Sequence, residues 1–470
     1  MDDIDFREWS SRAATWSANY LETLSDRPVK AQVAPGEIVR QIENSPPEAA
    51  ESMDKIFSDF EDIIPNGMTH WQHPRFFAYF QGNAAPAGMI AEQLAGTLAA
   101  QCMLWQTSPA ATELETKMVD WLRQSIGLPV GFYGVLQESA SAATLCSTLV
   151  MRERALKWKG NETGLSGQQQ VRIYASTQTH SSIDKAMWIA GIGQDNLVKI
   201  PTDDSFAIDI EALRSAIKQD RENGFLPAGI IICVGGTSIG AIDNVEAVCA
   251  VAKEENLYTH VDAAWAGSAM ICPEFRYLWK GVENADSVVI NPHKWLGAPQ
   301  ECTAHFVKKP ELLTKTLSIQ PEYLKTYNVN CIVNFSEWSI QLGRRFRALK
   351  VWFLLRAYGQ EGLRSRIRNH VAWAQGLAAR LDEQPDFEIS TKPVLSLFSF
   401  RYTPGDDRDP NALNQQLVDA INGDGRIYLT QTNHDGKIVI RFVAGTFNMR
   451  IDDRDVAFRT IVDVARNRLT

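Results

Sequence analysis

Ser287-Val288-Val289-Ile290-Asn291-Pro292-His293-Lys294-Trp295-Leu296-Gly297 is the stretch from which the rest of the chain can be read. Its first four residues have the short apolar pattern of a buried strand. A lysine follows almost at once, between a histidine and a tryptophan. An ammonium at the end of a buried strand is costly unless it is neutralised, paired or used covalently. Covalent capture of an aldehyde removes that cost, because the ammonium is consumed. The competing reading is a lysine that snorkels from a strand end into water.

A second strand pattern lies upstream in Leu257-Tyr258-Thr259-His260-Val261-Asp262-Ala263-Ala264-Trp265-Ala266-Gly267. It ends in an aspartate followed by small residues. Pyridoxal phosphate requires a lysine for its aldehyde and a carboxylate against its pyridine nitrogen. Lys294 and Asp262 supply both, and Ala264 leaves room beside the strand for a flat ring. Alone, Asp262 also fits a helix cap or a turn. Together the two residues favour the cofactor over that plainer reading.

The surrounding pattern alternates strand and helix. Strands are predicted at 171–175, 197–200, 229–234, 258–261, 287–290 and 302–307, with helices beginning near Ser182, Asp209 and Asn244. Such alternation predicts an α/β layer around a mainly parallel sheet. Ligands in these folds gather beyond the strands' carboxyl ends. Thr179-His180-Ser181, Gly236-Thr237, Asp262 and Lys294 all fall there, which predicts one shared site. Ser139-Ala140-Ser141 opens an apolar-periodic helix and fits either an anion site or a plain N-cap. Ser108-Pro109 is expected to start another helix, which Gly127 ends. A helical region is expected over 336–358, with a long helix beyond 360. The strands expected after it are 387–390, 395–401 and 438–443, with a turn at Asn433-His434-Asp435-Gly436. The polar segment 314–335 reads as a long loop that closes over the site.

Several long motifs in order give the chain its resemblance to the group II pyridoxal-phosphate-dependent amino acid decarboxylases, above all those acting on aromatic L-amino acids. They are Thr69-His70-Trp71 through Phe80, Ser108-Pro109 through Glu115, Ser139 through Thr144, the Asp262 strand, Ile271-Cys272-Pro273-Glu274-Phe275-Arg276, the Lys294 stretch and Leu342-Gly343-Arg344-Arg345-Phe346-Arg347. The resemblance implies fold type I, the aspartate aminotransferase-like fold. It also implies an N-terminal helical dimerisation arm (1–84), a large cofactor-binding domain (85–350) and a small α+β domain (351–470). It makes His180 the residue stacked on the cofactor ring, Thr237 a contact near the ring oxygen, and Asn291 and His293 phosphate-side ligands with Ser139, Ala140 and Ser141. Trp71, Tyr79 and Phe80 become part of the substrate pocket, although aromatics more often simply pack. Gly343 becomes the position that leaves room for a large ring. Met103 stands where the family places an aromatic reaching into the neighbouring subunit's site. Gln81-Gly82 departs from the Pro-Thr of the family's animal members. Tyr323 becomes the proton donor, with Tyr327 as a local competitor.

The implied reaction is decarboxylation of an aromatic amino acid to its amine. The rivals are an aldehyde synthase, which couples decarboxylation to oxidative deamination, a histidine decarboxylase, and a non-catalytic protein that kept the fold. Known synthases replace the loop tyrosine by phenylalanine or the stacking histidine by asparagine, and neither change is present here. A homodimer with active sites at the subunit interface is implied as well. The net charge of −9 argues against nucleic acid or an anionic membrane as the main partner. The start, Met1-Asp2-Asp3-Ile4-Asp5, lacks the basic and then apolar character of a secretory signal, and no apolar run is long enough to span a bilayer. Seven scattered cysteines without a Cys-x-x-Cys pair suggest reduced thiols in a cytoplasm, and no cluster has a metal-like spacing.

Overall fold

The computed structural model describes residues 5–319 and 332–469. The chain forms two compact units. One comprises Gly82–Ala372 with Pro393–Leu397; the other comprises Met1–Gln81, Trp373–Lys392 and Phe398–Thr470. The break expected after residue 350 falls in a helical stretch, Arg347–Asp382, which is two helices meeting at a kink at Gly359 (φ +62°), as the sequence pattern on either side of residue 359 predicts, and the units divide beyond that kink.

The unit containing Lys294 is built on seven strands: β1 Tyr133–Gln137, β2 Val171–Ser176, β3 Leu197–Ile200, β4 Leu226–Cys233, β5 Tyr258–Asp262, β6 Ser287–Ile290 and β7 Thr303–Val307. Their order in the sheet is β1-β7-β6-β5-β4-β2-β3. All the pairings from β6 through β3 are parallel, and β7 runs against both of its neighbours. Since β1 and β6 each oppose β7, they run the same way, and their carboxyl ends share a rim with those of β5, β4 and β2. The strands are nearly continuous apolar runs because helices cover both faces of the sheet; all four residues of β6 are buried. One core cluster joins Val135, Met151, Ile173, Ile231 and Leu313.

Local signals place the helices where expected. Asp209 and Asn244 accept from the Ala212 and Ala247 N–H groups and cap the helices Ile210–Glu222 and Val245–Glu254. Gly127, at φ +79°, ends the helix Pro109–Ile126 in the left-handed conformation. Ser108 does occupy the N-cap, but its hydroxyl donates to Gln101 O instead of capping.

Two expectations are corrected. Residues 314–317, expected to be part of a loop, belong to the helix Pro310–Leu317, whose periodic apolar face buries Leu313. Most of the segment expected to close over the site, including Tyr323 and Tyr327, lies outside the described residues. The expected helix over 336–358 is also interrupted. Phe335–Trp338 is a single 3-10 turn, and the next helix starts only at Arg347. Between them the backbone bonds elsewhere: Arg344 N–H donates to Gln101 Oε1 at 2.8 Å and Arg344 O accepts from Cys102 N–H at 3.0 Å.

The other unit carries β8 Phe387–Val394, β9 Leu397–Tyr402, β10 Thr430–His434 and β11 Lys437–Val443 in the order β10-β11-β9-β8. Strand β10, Thr-Gln-Thr-Asn-His, was not anticipated: an edge strand this polar shows no hydrophobic alternation. The turn after it has Asp435 and Gly436 at φ +50° and +74°, as a tight hairpin requires. Phe398, Phe400, Phe442, Leu417 and Ile461 form its core. The N-terminal helices Phe6–Thr23 and Met53–Ile63 bury none of their residues within the chain.

Candidate active site

The carboxyl rim of the seven-stranded sheet collects the chemistry. Asp262 ends β5 and pairs in register with Val289 of β6 on one side and Cys233 of β4 on the other. Its Oδ1 accepts from Ala264 N–H at 3.1 Å, which fixes one carboxylate oxygen against the following turn. Gly235, after β4, approaches that turn closely: at φ +85°, a Cβ there would lie 2.6 Å from the Ala266 methyl.

After β6 the chain makes one wide, π-helical turn, Pro292–Leu296, ended by Gly297 at φ +95°. Lys294 sits in this turn, half-buried. Burial holds its amine below the ordinary ammonium range, while the Asp262 carboxylate acts in the opposite sense. The turn is pinned from several sides. Asn291 N–H donates to Ala264 O at 2.9 Å, Asn83 N–H to His293 O at 3.0 Å, and Asn83 Nδ2 to Lys294 O at 2.8 Å. Asn83 was missed in the sequence, where an asparagine far upstream of the lysine carries no signal. Behind it, a Cβ on Gly88 would fall 2.3 Å from Pro299 Cδ, so the helix Pro86–Leu98 packs directly on the chain beyond the turn.

Asn291 and His293 are both buried and both bonded within the fold. Asn291 Oδ1 accepts from Thr303 Oγ1 at 2.8 Å, and His293 Nδ1 accepts from Cys302 N–H at 3.0 Å. That bond places the neutral ring's proton on Nε2. Burial, reinforced by Lys294, keeps the ring neutral by pushing it down to about 4.

His180 follows β2, and its ring is exposed within the chain. Its Nδ1 accepts from Ser182 N–H at 3.1 Å and lies 2.8 Å from Ser182 Oγ, so here too the neutral ring carries its proton on Nε2. Desolvation lowers its pKa; Asp262 and Asp184 act to raise it and Lys294 to lower it. His180, Asp262 and Lys294 are thus close enough to act on one another. Thr237 is half-buried after β4. Ser139 accepts from Ala142 N–H at 3.1 Å and caps the helix Ala140–Ala155, whose first residues are Ala140 and Ser141. This positive helix start shares the rim with Lys294.

An amine, a carboxylate on the neighbouring strand and a helix start on one rim fit the aldehyde, ring nitrogen and phosphate of pyridoxal phosphate in turn. Among the described residues, no group of three or more His, Cys, Asp or Glu side chains could hold a metal ion.

Met103 is half-buried, and its carbonyl accepts from Ser336 N–H. Gly343 is exposed, with space for a Cβ 3.4 Å from Gln101 Nε2. In the other compact unit, Trp71 stacks on Phe76 at 4.7 Å and on Tyr79 at 5.6 Å. Trp71 and Tyr79 are exposed within the chain, whereas Phe80 is buried with the Arg441 guanidinium 5.6 Å from its ring.

This arrangement defines a pyridoxal-phosphate-dependent enzyme of fold type I. The chain belongs to the pyridoxal-dependent decarboxylase family, whose conserved domain matches residues 35–403. Phenylacetaldehyde synthase of Arabidopsis thaliana is 39% identical over 95% of this chain and 92% of its own length. The aromatic-L-amino-acid decarboxylase of Rattus norvegicus is 36% identical over 100% of this chain and 99% of its own. The crystal structure of Oryza sativa TDC with pyridoxal phosphate and tryptamine superimposes with a TM-score of 0.95 at 31% identity, covering 100% of this chain and 99% of that one.

Proposed function

We propose that this decarboxylase converts an aromatic L-amino acid to its amine and carbon dioxide. Its assembly would be a cytoplasmic homodimer with active sites at the subunit interface. The carrying observation is the Lys294–Asp262 pair at adjacent strand ends, in a chain whose full-length relatives include decarboxylases named for aromatic amino acids. The cofactor, when bound, accepts the electrons released as the carboxylate leaves.

This chain's residues do the rest. Lys294 would hold the cofactor through its aldehyde. Asp262 keeps the ring nitrogen protonated. His180 would hold the ring from one face, with its Nε2–H free to act as a donor toward it. Asn291, His293 and the Ser139-Ala140-Ser141 helix start would hold the phosphate, and Thr237 and Ala264 would bind the ring. Trp71, Tyr79 and Phe80 receive the substrate's aromatic side chain, Gly343 leaves room for a large one, and Met103 reaches toward the partner's site. Tyr323 returns a proton to the carbon that lost carbon dioxide.

Two features support the dimer. The arm, residues 1–84, includes two helices that bury nothing within the chain. On the helix Pro86–Leu98, Ile90, Leu94 and Leu98 form an exposed apolar stripe at helical spacing. Among the described residues, no helix is long and apolar enough to cross a membrane.

The relative named as an aldehyde synthase makes that reaction the second reading. His180 and Tyr323, both present, favour the amine. Incubating the enzyme with dihydroxyphenylalanine, tryptophan, tyrosine, phenylalanine and histidine decides between them. Amine equimolar with carbon dioxide is expected from an aromatic member of the panel. Stoichiometric ammonia and peroxide would establish the synthase, and turnover of histidine alone would remove the aromatic assignment. Tyr323→Phe should keep the cofactor and lose most amine formation.

A further inference from the structure

We propose that His370 is a positioning residue: acting through Trp295, it fixes where Lys294 stands against Asp262. The inference rests on the assignment of Lys294 to the cofactor and names the device that sets its geometry.

Each of the two chemical groups has an indole nearby in sequence. Trp265 lies in the turn after Asp262, and Trp295 directly follows Lys294. The two rings stack with centroids 5.1 Å apart and planes within 9°, and both residues are 2% exposed. The turns that carry them are in direct backbone contact through Asn291 N–H and Ala264 O. Gly267 tightens the join, since a Cβ there would lie 2.2 Å from Ile290 Cγ2. The carboxylate-bearing and amine-bearing turns therefore move as one body.

His370, on the helix that follows the kink at Gly359, closes the stack. Its ring lies 6.4 Å from the Trp295 ring and within 11° of its plane, and its Nδ1 accepts from Trp295 Nε1–H at 2.9 Å. The residue is 1% exposed. An accepting Nδ1 requires the tautomer protonated on Nε2, because a ring protonated on Nδ1 would set N–H against N–H. Apolar packing alone could fill this space without choosing how the indole is turned. A directional hydrogen bond chooses, and with it the path of the adjacent residue, Lys294. The charged and titratable groups acting on that amine are Asp262 on β5, His180 after β2 and His293 in its own turn.

The test reads attachment, not turnover. Full-length enzyme is equilibrated with pyridoxal phosphate from pH 6 to 9 and reduced with borohydride, and the label on Lys294 is quantified by mass spectrometry. In His370→Leu the turn loosens and water reaches the amine, whose pKa rises toward its ordinary value. Half-attachment should then move up by about one pH unit, which is about tenfold less label at a given pH on that limb. His370→Asn, which offers a carbonyl oxygen near the Nδ1 position, should stay close to the parent. Trp295→Phe keeps a ring and removes the donor; it should shift like His370→Leu, and the double variant should shift no further. A His370→Leu or Trp295→Phe protein titrating like the parent overturns the inference, whatever happens to its urea midpoint. So does a His370→Asn protein as displaced as the leucine variant. A parent that takes no label at Lys294 removes the cofactor assignment itself.

Discussion

Burial holds three histidines of the cofactor-binding unit neutral, and that stores an acid sensitivity. His305 is pushed down to about 3 by burial, His293 to about 4, and His260 well below its ordinary value. His260 and His305 belong to a buried chain of polar side chains. It runs from Gln137 to His305 (3.1 Å), Ser147 (3.1 Å), Ser287 (3.3 Å), His260 (2.8 Å) and Thr144 (3.2 Å). The unfolded chain protonates such a ring near pH 6.5, whereas the folded one resists until far lower. Stability is therefore complete above about 6.5 and falls with the pH toward the folded values. For His305 the loss by pH 4.5 should be about 2–3 kcal/mol. Urea midpoints at pH 7 and 4.5 should show His305→Gln losing less between the two than the parent does; an equal loss would contradict this. The sequence makes Lys294 and Asp262 legible because a charged group at the end of an apolar strand is conspicuous. It conceals His370, Asn83 and the His305 chain, whose partners lie far along the chain and whose bonds depend on strand order.

Among elements, the segment joining the 3-10 turn Phe335–Trp338 to the helical stretch Arg347–Asp382 shows tertiary bonding overriding a local pattern. Arg344 is buried and bonds Glu115 Oε1 at 2.6 Å and Leu136 O at 2.7 Å, while Glu115 Oε1 also accepts from Leu136 N–H at 2.8 Å. A helical turn here would forfeit those bonds, which is why the helix predicted from residue 336 begins only at 347. Breaking such a pair leaves a buried charge without its counterpart. Glu115→Ala should cost about 3–5 kcal/mol, read from the urea midpoint. Replacing both partners by apolar residues, Glu115→Leu with Arg344→Met, should recover much of it. A single variant as stable as the parent would remove the pair from the account of this segment. By contrast, β3 and β6 match their predicted spans, and the helices capped by Asp209 and Asn244 begin as read. Those signals are complete within a few neighbouring residues.

For the whole molecule, the apolar stripe on the helix Pro86–Leu98 bears the proposed assembly. Leu94→Glu should convert a dimer to monomer in sedimentation velocity, and it should leave the monomer's circular dichroism unchanged because Leu94 is 45% exposed within the chain. A dimer that persists undiminished would move the interface elsewhere. The fold class was readable at this scale because alternating strands and helices admit few arrangements. The reversed strand β7 was not, since nothing in a buried five-residue run states its direction.

The contact of Gly88 with Pro299 has a thermodynamic corollary. The same helix start touches the segment that carries Lys294, and Ala85 N–H is bonded to Gly297 O at 2.8 Å. Were that helix to pack against a second copy, as proposed, subunit association and prosthetic-group retention would be linked equilibria, each changing the other by the same factor. Dilution would then strip the coenzyme, and supplying the coenzyme would draw separated chains back together.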